Sequence, residues 1–237
     1  HIAEGVDQTA LNEFDDLFTA TTTDGCLFAP QTAIIHGTAL GATEFTDMAT
    51  FGMGLVWSPK SNVFLYGAGT DLTKTTDIPL ARSMGILVGM GPDWAMGGSQ
   101  NMLEELRFAD MVDNTIWGDS LSTRDLVEMA TMNSAELLGV GDQIGSLFTG
   151  MKADIAVISG DIRNPYDAIV AAEPEQVRLV LVDGHALYGD DQLISLGAPT
   201  PGCEIIDVCG EPKMLCVALD GGDSSDLFGQ TFADIEA

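Results

Sequence analysis

The chain has 237 residues, and 46% of them are apolar, enough to bury a core and too many for an intrinsically disordered chain. Its 36 acids against 9 bases give a net charge of −27, which repels phosphate backbones and anionic bilayers and argues against nucleic-acid binding. No apolar stretch reaches the roughly 18 residues that span a bilayer.

The chain starts "HIAEGVD", on one of only 3 histidines. An amphipathic piece follows at 8–20, then the β-branched run "TAIIHG" at 32–37, which ends near His36. A second amphipathic piece covers 41–52. The apolar run "GMGLVWSP" at 52–59 is stopped by Pro59. "TDIPLARSMG" at 76–85 reads as helical, and "GILVGMGPD" at 85–93 is a strand ending at Asp93. "GSQNMLEELRFADMV" at 98–112 reads as a helix with Ser99 as N-cap and Glu104 and Glu105 near its positive end. Counted from His1, these are four β-then-α units, which predict a parallel sheet with right-handed crossovers.

Beyond about 120 the pattern changes. "STRDLVEMATMNSAELLGV" at 122–140 predicts a helix capped by Ser122. β segments are expected at 144–150, 153–161 and 177–190, the last folded at Asp183–Gly184, and a further hairpin at 203–219 around Gly210–Pro212. The predicted organisation is an α/β half barrel at 1–140, a small β-sandwich at 141–219 and an acidic tail at 220–237. Cys203, Cys209 and Cys216 are spaced C-x5-C and C-x6-C, which fits no common zinc pattern. A disulfide and free thiols both stay open. The acidity suits either a high-salt habitat or an ordinary acidic protein.

In parallel sheets the functional residues sit at the C-terminal ends of strands. His1, His36 and Asp93 each occupy such an end. Imidazole and carboxylate suit zinc and related ions, and a nearby acid such as Glu4 can move protons for an activated water. In a regular strand His1 and Glu4 would point to opposite faces, so they share a site only if the strand ends near Ile2.

The motifs "HIAEG", "IIHGTAL", "SPKSNVFLYG" and "GILVGMGPDWAMGGSQNMLEELR", in that order, resemble the amidohydrolase superfamily, most nearly its ATZ/TRZ-type metal-dependent hydrolases and aminohydrolases. "MATMNSAELLGVGDQIGSLFTGMKADIAVISGD" followed by "VRLVLVDGHALYGD" resembles that family's closing helix and small sandwich. The resemblance runs to about residue 190. It implies the C-terminal half of a (β/α)8 barrel and hydrolysis of a carbon–nitrogen bond in a small nitrogen-containing substrate, by deamination or ring opening. The implied cofactor is a divalent metal, zinc first, with iron or manganese as alternatives. His1 would bind metal and Glu4 would shuttle a proton. His36 would polarise the water or steady the developing charge, and Asp93 would bind metal and act as general base. Ser61 and Asn62 fall in a "P-x-S-N" loop after strand seven that shapes the pocket, and Trp94 is expected to line it.

The family's first-strand His-x-His pair has no counterpart here. The expectation is therefore a C-terminal portion of a longer, cytoplasmic enzyme, partnered by a missing N-terminal half or a second copy. The alternatives are a non-catalytic structural half and a peptidase-like relative. Asp71 is a rival to Asp93, read as a solvated loop acid. Trp57 is read as core and His185 as an exposed turn residue. Ser61 lacks both a base and a G-x-S-x-G setting for a nucleophile.

Overall fold

The computed structural model describes residues 1–200 and 202–216. The acidic segment 220–237 and the end of the 203–219 segment lie outside the described residues. The chain divides into two compact units, 1–146 and 147–237.

The first unit alternates helices and parallel strands. Asp7 caps α1 (Gln8–Thr19) by accepting the Ala10 N–H at 3.0 Å, and Phe14 faces inward. Strand β1 (Ala33–Ile35) leads to α2 (Ala42–Phe51), which ends at Gly52 with φ 68°, a left-handed stop that glycine adopts freely. Strand β2 (Gly54–Trp57) runs into α3 (Pro59–Tyr66). Helix α4 (Ile78–Ser83), strand β3 (Val88–Met90) and helix α5 (Met102–Val112) follow. The strands lie in the order β1-β2-β3, all parallel, and Ile2 bridges His36 in parallel beside β1. The start of the chain thus contributes a single-bridge fourth position where a strand ending at His1 is expected.

Trp57, Leu55, Ile34, Phe45 and Met48 fill the core beside this sheet. A composite helix closes it: α6 (Thr123–Glu128), a π-turn (Met129–Asn133) and α7 (Ser134–Leu137). Ser122 caps it as the sequence predicts, accepting the Asp125 N–H at 3.2 Å. It docks where strand side chains are missing. A Cβ on Gly54 would lie 2.1 Å from Leu137, and one on Gly89 would lie 2.8 Å from Ser134 Oγ. Asn133 Nδ2 donates to Val88 O at 2.9 Å, and Met90 N–H donates to Ser134 Oγ at 3.1 Å.

Two local expectations for this unit are corrected. Pro59 does stop the apolar run, since β2 ends at Trp57, but it also begins a helix, because proline's missing N–H costs nothing in a first turn. Ser61 and Asn62 therefore lie on α3 and not in a loop. The N-cap of α5 is Asn101, which accepts Glu104 N–H at 3.0 Å; Ser99 is buried and donates to Glu105.

The second unit contains β4 (Ile155–Ile158), α8 (Pro165–Val170), β5 (Val177–Val182), β6 (His185–Gly189), α9 (Asp191–Ile194), β7 (Glu204–Val208) and β8 (Glu211–Leu215). The strands form one antiparallel sheet in the order β4-β5-β6-β8-β7. A sandwich needs two facing sheets, and the described residues of this unit form one. Residues 144–150 are turns and bends, their three glycine and serine positions outweighing a short apolar run. Asp183 and Gly184 (φ 50° and 81°) make the expected hairpin turn, and Cys209 and Gly210 (φ 55° and 89°) make the second. The second turn sits one residue before the expected position, leaving Pro212 in β8. Cys203 and Cys216 form a disulfide across β7 and β8; Cys26 and Cys209 are free and exposed. Lys213 is buried, with Nζ donating to Val177 O at 3.0 Å and to Asp190 Oδ1 at 2.6 Å.

Candidate active site

The strand ends converge as the alternation predicts. His36 lies one residue past β1 and Asp93 three past β3, both with left-handed backbone (φ 70° and 61°). That conformation costs an L-residue on the order of 1 kcal/mol. Such strain persists where the surroundings fix it, and it collects at functional sites.

A third such residue explains how His1 and Glu4 meet. Ala3 is fully buried with φ 54°. Its turn breaks the extended run after Ile2, so His1 Nδ1 lies 2.8 Å from Glu4 Oε2. The other carboxylate oxygen, Glu4 Oε1, lies 3.6 Å from His36 Nε2. Ala3 N–H donates to Glu13 Oε2 at 2.8 Å, and Ala39 N–H donates to Ala3 O at 3.1 Å, so the turn is tied on both sides.

His36 is fully buried. Its Nδ1 lies 2.9 Å from Asn62 Oδ1, and Asn62 Nδ2 donates to Thr75 Oγ1 and Thr76 Oγ1, both at 3.3 Å. With its amide nitrogen turned to the threonines, Asn62 presents only its acceptor oxygen to the ring. His36 Nδ1 therefore carries the proton, and Nε2 keeps its lone pair. That lone pair faces His1 Nδ1 at 3.0 Å and lies 4.0 Å from Asp93 Oδ2. Ser61 Oγ–H donates to Asp93 Oδ2 at 2.5 Å.

Among the described residues, His1, His36 and Asp93 offer donor atoms that lie within 4.8 Å of one another. Nitrogen ligands at about 2.0–2.1 Å on a tetrahedral ion stand about 3.3 Å apart. The separations of 3.0 Å and 4.0 Å bracket that value, and two imidazoles with a carboxylate are a zinc-type donor set, so the residues present fit a divalent ion.

The other residues singled out from sequence fall less centrally. Trp94 is 38% exposed and meets Phe64 edge-on with centroids 6.2 Å apart. Asp71 is exposed, and its bonds from Thr73 hold its carboxyl below the usual range. Trp57 is core, with Nε1–H donating to Thr75 Oγ1 at 2.8 Å; His185 is exposed at the start of β6.

Sequence reasoning missed Tyr66, Glu13, Thr75, Thr76 and Glu105. Tyr66 donates to Glu4 O at 2.9 Å, and burial, then the Glu4 carboxylate, pushes its pKa up to about 12. Glu105 is fully buried and accepts Lys60 N–H at 3.3 Å and Ser99 Oγ–H, tying the loop after Asp93 to the start of α3. Burial pushes its pKa up to about 7. The i, i+4 spacing of Asn62 and Tyr66 could have revealed Tyr66 had 59–66 been read as a helix.

Two histidines and an aspartate gathered at the strand ends of a parallel α/β unit are a donor set that can hold a divalent ion. The amidohydrolase family profile matches residues 15–187, and the chain belongs to that family. It is 31% identical, over 60% of its length, to a 5-methylthioadenosine/S-adenosylhomocysteine deaminase of Acetivibrio thermocellus, of which it covers 34%. The guanine deaminase of E. coli superposes with a TM-score of 0.64 at 21% identity, covering 81% of this chain and 48% of that one. The atrazine chlorohydrolase TrzN of Arthrobacter aurescens, a zinc complex, superposes with a TM-score of 0.55 at 26% identity over 68% of this chain and 36% of that one. The chain spans less than half the length of these relatives.

Proposed function

We propose that this chain carries the His1–Glu4–His36–Asp93 part of the active site of a metal-dependent hydrolase that deaminates a nitrogen heterocycle, within a (β/α)8 barrel completed by further strands. The observation that carries the reading is the meeting of four chemically matched side chains, from three strand ends, within hydrogen-bond or near-contact distance. Membership of the amidohydrolase family and similarity to a 5-methylthioadenosine/S-adenosylhomocysteine deaminase support the substrate class.

His1, His36 and Asp93 would hold the ion, zinc being the best match to their donors. When bound, the ion supplies a Lewis acid that brings a water's pKa toward neutrality. Asp93, with one oxygen fixed by Ser61, takes a proton from the attacking water as its oxygen bonds to the sp² carbon bearing the amine. The lone pair that Asn62 leaves on His36 Nε2 would be the one that holds the ion. Glu4 delivers a proton to the departing nitrogen as the C–N bond breaks, and ammonia leaves. Trp94, next to Asp93 in the chain and 38% exposed, offers an apolar face for a ring, braced edge-on by Phe64.

Asp93→Ala in the complete gene product should abolish ammonia release from an aminated heterocycle while melting temperature and circular dichroism are retained. Retained turnover in that variant sinks the assignment.

A further inference from the structure

Helix α3 touches the candidate site at three points, from one rigid eight-residue element. Ser61 bonds the Asp93 carboxylate, Asn62 bonds the His36 ring, and Tyr66 bonds the backbone that carries Glu4. Asn62 and Tyr66 are four residues apart and so share a face. The first two contacts fix side chains directly. The third acts on a peptide, and the peptide it acts on is the unusual one.

Ala3 is left-handed without being glycine, and the position of the Glu4 carboxylate depends on that turn. Beside the turn's own Gly5 N–H bond to Ala3 O, three groups from other elements hold it: Glu13 of α1 accepts Ala3 N–H, Ala39 N–H reaches Ala3 O, and Tyr66 O–H reaches Glu4 O. Of these, Tyr66 grips the residue that bears the carboxylate. Without it, Glu4 loses the anchor at its own carbonyl and a hydroxyl that also interacts with its carboxylate. The Glu4 side chain is a quarter exposed, and its carboxylate meets the two histidine rings at 2.8 Å and 3.6 Å.

We propose that Tyr66 is a positioning residue for Glu4, its hydroxyl holding the Ala3–Glu4 turn so that the carboxylate stays between His1 and His36. The inference rests on Glu4 being the proton shuttle. A misplacement of about 1 Å in a catalytic group can cost about a hundredfold in rate, and the partial loosening here should cost about tenfold.

The test is a double-mutant cycle in the complete gene product. Tyr66→Phe, which keeps the ring, should lower kcat about tenfold with KM, bound zinc and melting temperature unchanged. The same change made in a Glu4→Gln background should have no further effect, because the group it positions is gone. Three results overturn the proposal: kcat within about twofold of the parent, a loss that multiplies in the Glu4→Gln background, or a loss that tracks zinc content or melting temperature. If Glu4→Gln itself keeps full turnover, the shuttle reading fails on its own, whatever Tyr66→Phe does.

Discussion

Asn62 Oδ1 lies 2.9 Å from His36 Nδ1, and this one contact decides what the buried histidine can do. It places the ring proton on the far side from Asp93 and leaves Nε2 as a donor of electrons toward His1 and Asp93. Metal-binding imidazoles are commonly oriented by such a partner on the second nitrogen, and losing it typically costs about 10–100-fold in metal affinity. Asn62→Leu should therefore weaken zinc binding about 10–100-fold, measured by competition with a chromogenic chelator. An unchanged affinity would mean that His36 is held some other way.

Glu105 makes stability depend on pH in a defined window. Its pKa is about 7 in the fold against an ordinary 4.5, because burial penalises its charged form. Between those values the folded chain holds a proton that the unfolded chain has released, so stability falls as pH rises from 4.5 to 7 and levels off above. The full effect is about 3 kcal/mol. Glu105→Gln, which can keep the bonds to Ser99 and Lys60, should flatten that fall in urea midpoints measured between pH 4.5 and 8. A parallel decline in both proteins would contradict it.

Gly98 closes the loop that follows Asp93. A Cβ there would stand 2.0 Å from the Pro92 carbonyl oxygen and 2.7 Å from that of Trp94, both backbone atoms with little room to yield. Gly98→Ala should cost at least about 1–3 kcal/mol. It should also lower zinc affinity by shifting Asp93. Denaturant midpoints and the same chelator competition read both effects, and a variant indistinguishable from the parent in each would show the loop to be more accommodating than its geometry implies.

The alternation of apolar runs and amphipathic stretches was enough to place His36 and Asp93 past the ends of two strands of one parallel sheet, β1 and β3, because buried parallel strands write themselves as continuous β-branched or apolar segments. Local backbone conformation was less legible. Ala3 turns left-handed with no glycine to announce it, so the meeting of His1 and Glu4 was only a condition to be satisfied. Pro59 stops β2 and also starts α3; only the first role shows in the apolar pattern, which hides α3 and with it the spacing that links Asn62 to Tyr66. Ser99 and Asn101 are both good caps on propensity; burial against Glu105 decided between them. The threonines behind Asn62 carry no pattern that marks them in sequence.

With 36 acids against 9 bases, the exposed ion pairs contribute little against the mutual repulsion of the excess carboxylates. Raising KCl from 0.1 M to 1 M shortens the screening length from about 10 Å to about 3 Å, which relieves repulsion among them. The melting temperature should rise by several degrees over that range in a thermal scan. A flat or falling response would show that self-repulsion does not limit this fold and would remove the high-salt reading of its composition.

The most direct test of a metal-dependent centre at His1, His36 and Asp93 is ammonia release by the complete gene product from an aminated heterocycle before chelation, after it, and after zinc is returned. Activity should vanish with the metal and return with it in the parent, and zinc should restore nothing in a folded Asp93→Ala variant. Turnover that survives complete metal removal, or that zinc restores without Asp93, would contradict the account.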